Sequence, residues 1–313
     1  MARGNYVLTR LLQIIPTFFI IMFLVFMMVR LLPGDPASAI LGDRATEEAV
    51  ARINAKMGLD KPLLVQFGIF VGNFFQGDLG DSLNLKIPVF DLIKQRVPVT
   101  VFLTLYGALI SVLLAVPLAL LAALRRNTAV DNIIRLLFQI GLSLPTFYIA
   151  LQLLTYLGAR WGWFPIGGYG DNFVDHLYHL FLPALTLGFN MAAILLRNLR
   201  TSIIEVLSAE YIRYARAKGL GTQQVLMRHV LRNAMISTVT LVGLNIGALF
   251  GGAVITESVF AIPGVGRLMI DSIFGRDYQV IQGLTLTFAI LVSIVFLLTD
   301  LAYAQLDPRV EMT

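Results

Sequence analysis

The run VTVFLTLYGALISVLLAVPLALLAAL, from Val99 to Leu124, carries no acidic or basic side chain. Crossing about 30 Å of hydrocarbon as a helix takes roughly 20 apolar residues, because every peptide N–H and C=O must find its partner within the segment. This run is long enough. Working outward from it, five further stretches meet the same requirement: Leu11 to Val29, Leu136 to Ala159, Leu177 to Leu196, Asn233 to Thr256 and Tyr278 to Thr299. His179 is the one acidic or basic residue in any of them. A chain that is 57% hydrophobic and 14% charged is far from a globular balance, so lipid is its main solvent. The sequence predicts an all-α integral membrane protein with six transmembrane helices.

The first stretch follows Arg3 and Arg10, and Ala37-Ser38-Ala39 imitates a signal-peptidase site. Its apolar run exceeds the roughly 7 to 15 residues of a signal core, and Pro33-Gly34-Asp35-Pro36 separates it from the small residues, so a retained helix is expected. A net charge of +5 raises the question of nucleic acid, but the placement of the basic residues answers it. With the N-terminus in the cytoplasm, the short cytoplasmic segments hold 12 Lys and Arg: Arg3 and Arg10, three from Arg125 to Arg135, and seven from Arg197 to Arg232. The short outer connections hold three, Arg160, Arg267 and Arg276. That bias predicts both termini inside and a membrane rather than a nucleic-acid partner. The chain has no cysteine, which removes disulfides, thiolate metal sites and a cysteine nucleophile.

In this topology Pro33 to Pro98 is an extracytoplasmic insert after the first helix, giving a division into 1–98 (first helix and insert) and 99–313 (a five-helix core). Thr46 ahead of Glu47 and Glu48 reads as an N-cap, and Gly58 as the C-cap of the same short helix. Gly77, Gly80 and Pro88 then punctuate the chain, so short helices and turns are expected rather than an independent domain.

The connection from Arg197 to Arg232 is the most informative soluble segment. It contains Glu210-Tyr211-Ile212-Arg213-Tyr214-Ala215-Arg216-Ala217-Lys218-Gly219. Ser202 and Glu205 have the spacing of a capping box, Gly219 and Gly221 supply stops, and Thr222 can restart a helix. Two short helices are expected across the cytoplasmic face. Ala215 and Ala217 would give a low-profile surface for another protein, while the flanking basic residues equally suit anionic headgroups. Physical chemistry alone leaves both uses open.

In this loop, the pair Ala215 and Gly219 resembles the loop motif of the binding-protein-dependent permeases of ABC importers. The resemblance is closer to the dipeptide, oligopeptide, glutathione and nickel-type subfamily, whose first permease subunit has a similar ordered series of motifs. Here these are Tyr6 to Pro16, Leu32-Pro33-Gly34-Asp35-Pro36-Ala37, Gly141-Leu142-Ser143-Leu144-Pro145, Leu182-Pro183-Ala184-Leu185-Thr186-Leu187-Gly188 and Tyr214 to Gly219. Arg228-His229-Val230-Leu231-Arg232-Asn233-Ala234, Glu257-Ser258-Val259-Phe260, Pro263-Gly264-Val265-Gly266, Arg276-Asp277-Tyr278 and Asp307-Pro308-Arg309 complete the series. One departure is Ser237, where the family usually has proline; a helix-start or kink signal is missing there.

The resemblance implies a type I ABC importer permease fold in a bacterial or archaeal cytoplasmic (inner) membrane. It implies a second homologous permease, two ATPase subunits that bind ATP and Mg, and a solute-binding protein that meets the insert and the segment from Phe260 to Tyr278. It also assigns coupling to the ATPase to Glu210, Tyr211, Arg213, Ala215, Ala217, Lys218 and Gly219, within a coupling loop 197–235. Relatives carry peptides, glutathione, nickel chelates or some sugars. No Gly-x4-Gly-Lys-Ser/Thr phosphate loop occurs in the chain, so ATP chemistry belongs to a partner and no cofactor is expected in the chain itself.

The span cores hold no carboxylate, which argues against proton- or sodium-driven transport; Glu257 and Asp300, near span ends, read as interfacial, as does His179. Asn190, Asn245, Gln139 and Gln152 are candidates to line a solute path, since an amide bonds a peptide backbone without a charge; helix-to-helix bonding is the alternative use. Gly243, Gly247 and Gly251 share one face of the fifth span and suit close helix approach. Pro16, Pro117, Pro145 and Pro183 can each kink a span. An enzyme would need a nucleophile with a base, paired carboxylates or a metal site. His176, His179 and His229 form no HExxH pattern, and neither a catalytic nor a metal residue is expected. A passive channel would have no evident use for the long basic loop.

Overall fold

The computed structural model describes residues 2–31, 41, 46–57 and 61–306. Helices dominate: α1 (Ala2–Arg30), α2 (Glu47–Met57), α3 (Leu63–Phe75), α4 (Val89–Leu124), α5 (Ala129–Ser143), α6 (Thr146–Arg160), α7 (Phe173–His179), α8 (Phe181–Ser208), α9 (Glu210–Ala217), α10 (Thr222–Val259), α11 (Val265–Phe274) and α12 (Tyr278–Leu306). The one β-bridge among the described residues pairs Asp81 with Pro88. The expected all-α architecture is present. By length and composition α4, α8, α10 and α12 can each cross a membrane, and α1 contributes an apolar stretch over Leu12–Met28.

The third expected span is not one helix. α5 and α6 meet at 106°, at the break Leu144-Pro145. Pro145 pushes Leu144 out of the helical region, to φ −86° and ψ 135°, and has no N–H with which to continue the ladder. The other prolines do less. Pro16 and Pro117 lie inside unbroken α1 and α4, and Pro183 occupies the first turn of α8, where a missing N–H costs nothing.

The chain forms two compact units. The first comprises Met1–Val99 and Pro263–Ile294. The insert is built into this unit through aromatic contacts: Phe26 of α1 lies 5.3 Å from Phe67 and 5.7 Å from Phe70 of α3, and Phe18 lies 5.6 Å from Phe74. Met22, Val25 and Leu286 complete that core, and Gln282 of α12 donates to the Val25 carbonyl at 2.9 Å. A second cluster joins Val89, Leu92 and Ile93 of α4 to Val265, Leu268, Val280 and Leu284. Thr46 caps α2 by accepting from the Ala49 N–H at 3.3 Å; Gly58 lies outside the described residues. Short helices and turns thus share a core with α1, α11 and α12.

The turn 82–88 is tied to the start of α12 through Asp277, which is 2% exposed. Its carboxylate accepts from the Ser82 hydroxyl at 2.6 Å, the Asn84 N–H at 3.3 Å and the Val280 N–H at 3.4 Å. Asn84 also donates to the Gly275 carbonyl at 3.0 Å.

The second unit comprises Thr100–Ile262 and Val295–Thr313, with α8 at its centre. Lipid tails are as apolar as leucine, so association of spans rests on close packing. At Gly188 a Cβ would come within 2.6 Å of the Gly107 carbonyl oxygen, which fixes the crossing of α4 and α8. A Cβ on Gly243 of α10 would run into Thr299 of α12, and one on Gly252 would reach Leu187. Gly251 faces open space, so Gly243 and Gly251 do not share one contact.

α5 is pinned to α8 by Asp131, which is fully buried. Arg200 donates to it twice, Nε to Oδ1 at 2.7 Å and Nη2 to Oδ2 at 2.6 Å, and the Asn127 N–H adds a bond at 2.9 Å. The planar guanidinium fork matches both carboxylate oxygens at once.

Candidate functional site

The expected coupling element is α9. It begins because Ala209 turns extended, with φ −70° and ψ 144°, and Glu210 then places a negative charge in the first turn. It ends in a Schellman motif: Gly219, at φ +81°, donates its N–H to the Arg216 carbonyl at 2.9 Å, and the Leu220 N–H reaches the Ala215 carbonyl at 3.3 Å. The spacing of Ala215 and Gly219 therefore has a local cause. Glycine supplies the left-handed residue that closes the helix, and alanine sits where α9 meets its own chain.

The burial pattern corrects two expectations. Ala215 is 8% exposed and Ile212 is 1% exposed, so Ala215 packs inward and is no part of the free surface. The exposed face carries Glu210, Tyr211, Arg213, Tyr214, Arg216, Ala217 and Lys218. Nor are there two short surface helices. α8 runs unbroken through Ser202 and Glu205 to Ser208, which removes the capping box, and Thr222 starts α10 itself. α10 passes through a π-type segment at Val225–Leu231 and continues through Ser237 without a break, as the absence of proline there allows. The Ser237 hydroxyl lies 3.2 Å from that of Ser202 on α8, and Asn233 Nδ2 donates to the Tyr211 hydroxyl at 3.1 Å.

Of the four path candidates, the structure brings two together. Asn190 of α8 and Asn245 of α10 line one cavity of about 150 Å³ with Thr146, the first residue of α6. Asn245 donates back to the Leu241 carbonyl at 2.7 Å, which leaves its own carbonyl end for the cavity. The Asn190 side chain has no hydrogen-bond partner among the described residues. Gln139 lines a different cavity with Arg135 and Arg197, and Gln152 an apolar groove with Leu137 and Phe189. Thr146 was not legible as a site residue. Its signal is the proline before it, which makes it a helix start facing the two amides.

Glu257, two residues before the end of α10, is fully buried, and the Thr100 hydroxyl donates to it at 2.6 Å. His176 and His179 each bond a backbone carbonyl, of Tyr169 at 2.8 Å and of Asp175 at 2.9 Å. No cluster of metal-ligating side chains occurs among the described residues.

Residues 115–312 match the model of the binding-protein-dependent transport system inner membrane component, and residues 3–104 match its N-terminal companion. The chain belongs to that family. It is 40% identical over 307 residues to the glutathione transport system permease protein GsiC of Escherichia coli strain K12, covering 98% of this chain and 99% of the relative. The GsiC protein of Salmonella typhimurium is similar to the same extent. Among solved structures, the inward-facing MetNI methionine ABC transporter matches with a TM-score of 0.59 at 16% identity, over 69% of this chain and 96% of that one. An amino acid ABC transporter matches with a TM-score of 0.53. The structural likeness establishes the fold.

The chain is thus a multi-pass inner-membrane permease subunit of an ATP-driven ABC importer of the peptide and glutathione subfamily. Membership implies ATPase and solute-binding-protein partners, and the family consists of transport subunits rather than enzymes. This accords with the missing phosphate-binding loop.

Proposed function

We propose that the permease imports glutathione or short peptides, that α9 transmits ATPase closure to the spans, and that Asn190, Asn245 and Thr146 line the solute path. The exposed face of α9 is the observation that carries the coupling role. Its outward side presents two tyrosines and three cations beside a buried anchor of Ile212 and Ala215, so a push on the face is delivered to the chain beneath. α9 contacts both α8 and the π-type segment of α10, and these two helices carry Asn190 and Asn245. Neutral amides and a hydroxyl suit peptide bonds, and the glutathione permeases at 40% identity make glutathione the first solute to try.

In this reading both termini and the coupling loop 197–235 are cytoplasmic. The division at 98/99 separates the first helix and insert from the five-helix core. A second homologous permease completes the path, and two ATPase subunits bind ATP and Mg. The solute-binding protein meets the insert, where the turn 82–88 is fastened to Asp277.

The test is solute-stimulated ATPase activity and uptake by the reconstituted complex, with assembly followed by co-purification. Tyr214→Ala with Arg213→Glu alters the exposed face alone and is expected to abolish stimulation or detach the ATPases. Ala215→Glu would buckle α9 from within and discriminates less. Asn190→Ala with Asn245→Ala is expected to lower glutathione uptake at least tenfold, about 1.4 kcal/mol, within the usual range for hydrogen bonds to a ligand, while assembly stays intact. Unchanged stimulation in the first variant would refute the coupling role, and unchanged uptake in the second would refute the path.

A further inference from the structure

The second unit contains two adjoining cavities that neither α9 nor the amide-lined site uses. The larger, of about 650 Å³, lies between α5 and α8; Arg135, Arg197 and Arg200 are its cations, and Leu136, Leu142 and Leu196 form part of its apolar wall. Arg200 is committed to Asp131, and Arg135 donates to Asn132 at 2.7 Å while standing 3.6 Å from Asp131. Arg197 is exposed and has no ion-pair partner among the described residues. Three guanidiniums against one carboxylate leave an excess of two positive charges. The neighbouring groove, of about 470 Å³, is almost wholly apolar and is lined by Leu137, Ile140, Gly141, Leu144, Tyr148 and Phe189 among others. Phe138 is common to both and stacks on Phe189 at 5.1 Å.

We propose that the two cavities together hold one anionic phospholipid, its phosphate between Arg135 and Arg197 and an acyl chain in the groove along α5. A cationic chamber that opens into an apolar groove is complementary to an amphiphile with an anionic head. From Arg135 to Leu144 the helix rises about 14 Å, the depth of a large part of one leaflet's hydrocarbon. The groove then meets the bend at Pro145. Leu137 and Ile140 are 58% and 50% exposed, so the chain itself leaves this wall uncovered. Basic pockets between spans on the cytoplasmic side are suited to anionic headgroups. The placement rests on the cytoplasmic assignment of Arg135 and Arg197 made above, whereas lipid retention is read without ATP or solute, so failure of either reading is seen separately.

The experiment is native mass spectrometry of the assembled importer, delipidated and then titrated with equal amounts of phosphatidylglycerol and phosphatidylcholine. One phosphatidylglycerol per permease copy is expected to be retained in preference to phosphatidylcholine. Arg135→Gln with Arg197→Gln should weaken it roughly 10- to 30-fold, and Arg197→Lys should keep most of the binding. Ile140→Trp, which fills the groove, should weaken it as well; a site for free phosphate would be indifferent to that change. Retention unchanged in the glutamine double variant or in Ile140→Trp overturns the proposal. Because the chain has no cysteine, Gln139→Cys is a unique label. Cross-linking of that cysteine to the second permease with no lipid retained would also overturn it, in favour of a permease contact.

Discussion

Asp131, Asp277 and Glu257 are the carboxylates buried almost completely among the described residues, and the first two are satisfied in opposite ways. Asp131 is met by the Arg200 fork, with Arg135 nearby, and joins two long helices. Asp277 is met by one hydroxyl and two backbone N–H groups, and no cation lies within ion-pair distance of it among the described residues. The difference follows from position. Asp277 immediately precedes α12, where free N–H groups and the positive end of the helix dipole already favour an anion. Asp131 spends its charge across a gap between helices, where only a full countercharge compensates the desolvation. Asp277 is an acceptor that happens to be charged; Asp131 is half of an ion pair.

The largest expected effect breaks the pair. Arg200→Ala leaves Asp131 buried without its countercharge and should destabilise the protein by about 3 to 5 kcal/mol, read as thermal unfolding of the detergent-purified permease. Replacing both partners, Asp131→Leu with Arg200→Met, should recover most of that loss, since an apolar pair has no charge to desolvate. A double variant no better than Arg200→Ala would mean that the pair provides more than charge balance. At the other carboxylate, Asp277→Ala removes the acceptor of Ser82 and the cap of α12 and should cost about 1 to 2 kcal/mol. Asp277→Asn should restore most of it, whereas Asp131→Asn should stay impaired, because the first site needs an acceptor and the second a charge. Equal rescue at both positions would remove the distinction. The smallest expected contrast is between glycines: Gly243→Ala meets Thr299 and should impair the folded protein, while Gly251→Ala faces open space and should change stability by less than about 0.5 kcal/mol.

Much of the fold was legible because lipid imposes a simple rule on composition. The runs centred on Val99–Leu124, Asn233–Thr256 and Tyr278–Thr299 declare α4, α10 and α12 by hydropathy alone. The third run could not declare its bend, since Pro16 and Pro117 sit in similar apolar surroundings without breaking their helices. What distinguishes Pro145 is an extended Leu144 and a second helix able to start at Thr146. Thr222 carries the signal of a helix start, but the element it opens runs on to Val259, because no sequence signal ends the helix between Arg232 and Asn233.

The site divides in the same way. Glu210 to Gly219 could be found from its charge, its glycine and its family resemblance, and the Schellman geometry at Gly219 is a local consequence of those letters. That Ala215 faces inward and Tyr214 outward depends on what α9 rests on. Asn190 and Asn245 are 55 positions apart in sequence, and nothing in their neighbourhoods distinguishes them from Gln139 and Gln152. The crossing of α8 and α10 places the first two in one cavity and leaves the other two elsewhere. The sequence by itself determined which segments enter lipid and which helix is built to end at Gly219, because both depend on neighbours within a few turns. Only the tertiary structure decided which buried acid is paired, which glycines touch and which amides converge, because each depends on contacts between distant segments that no local spacing encodes.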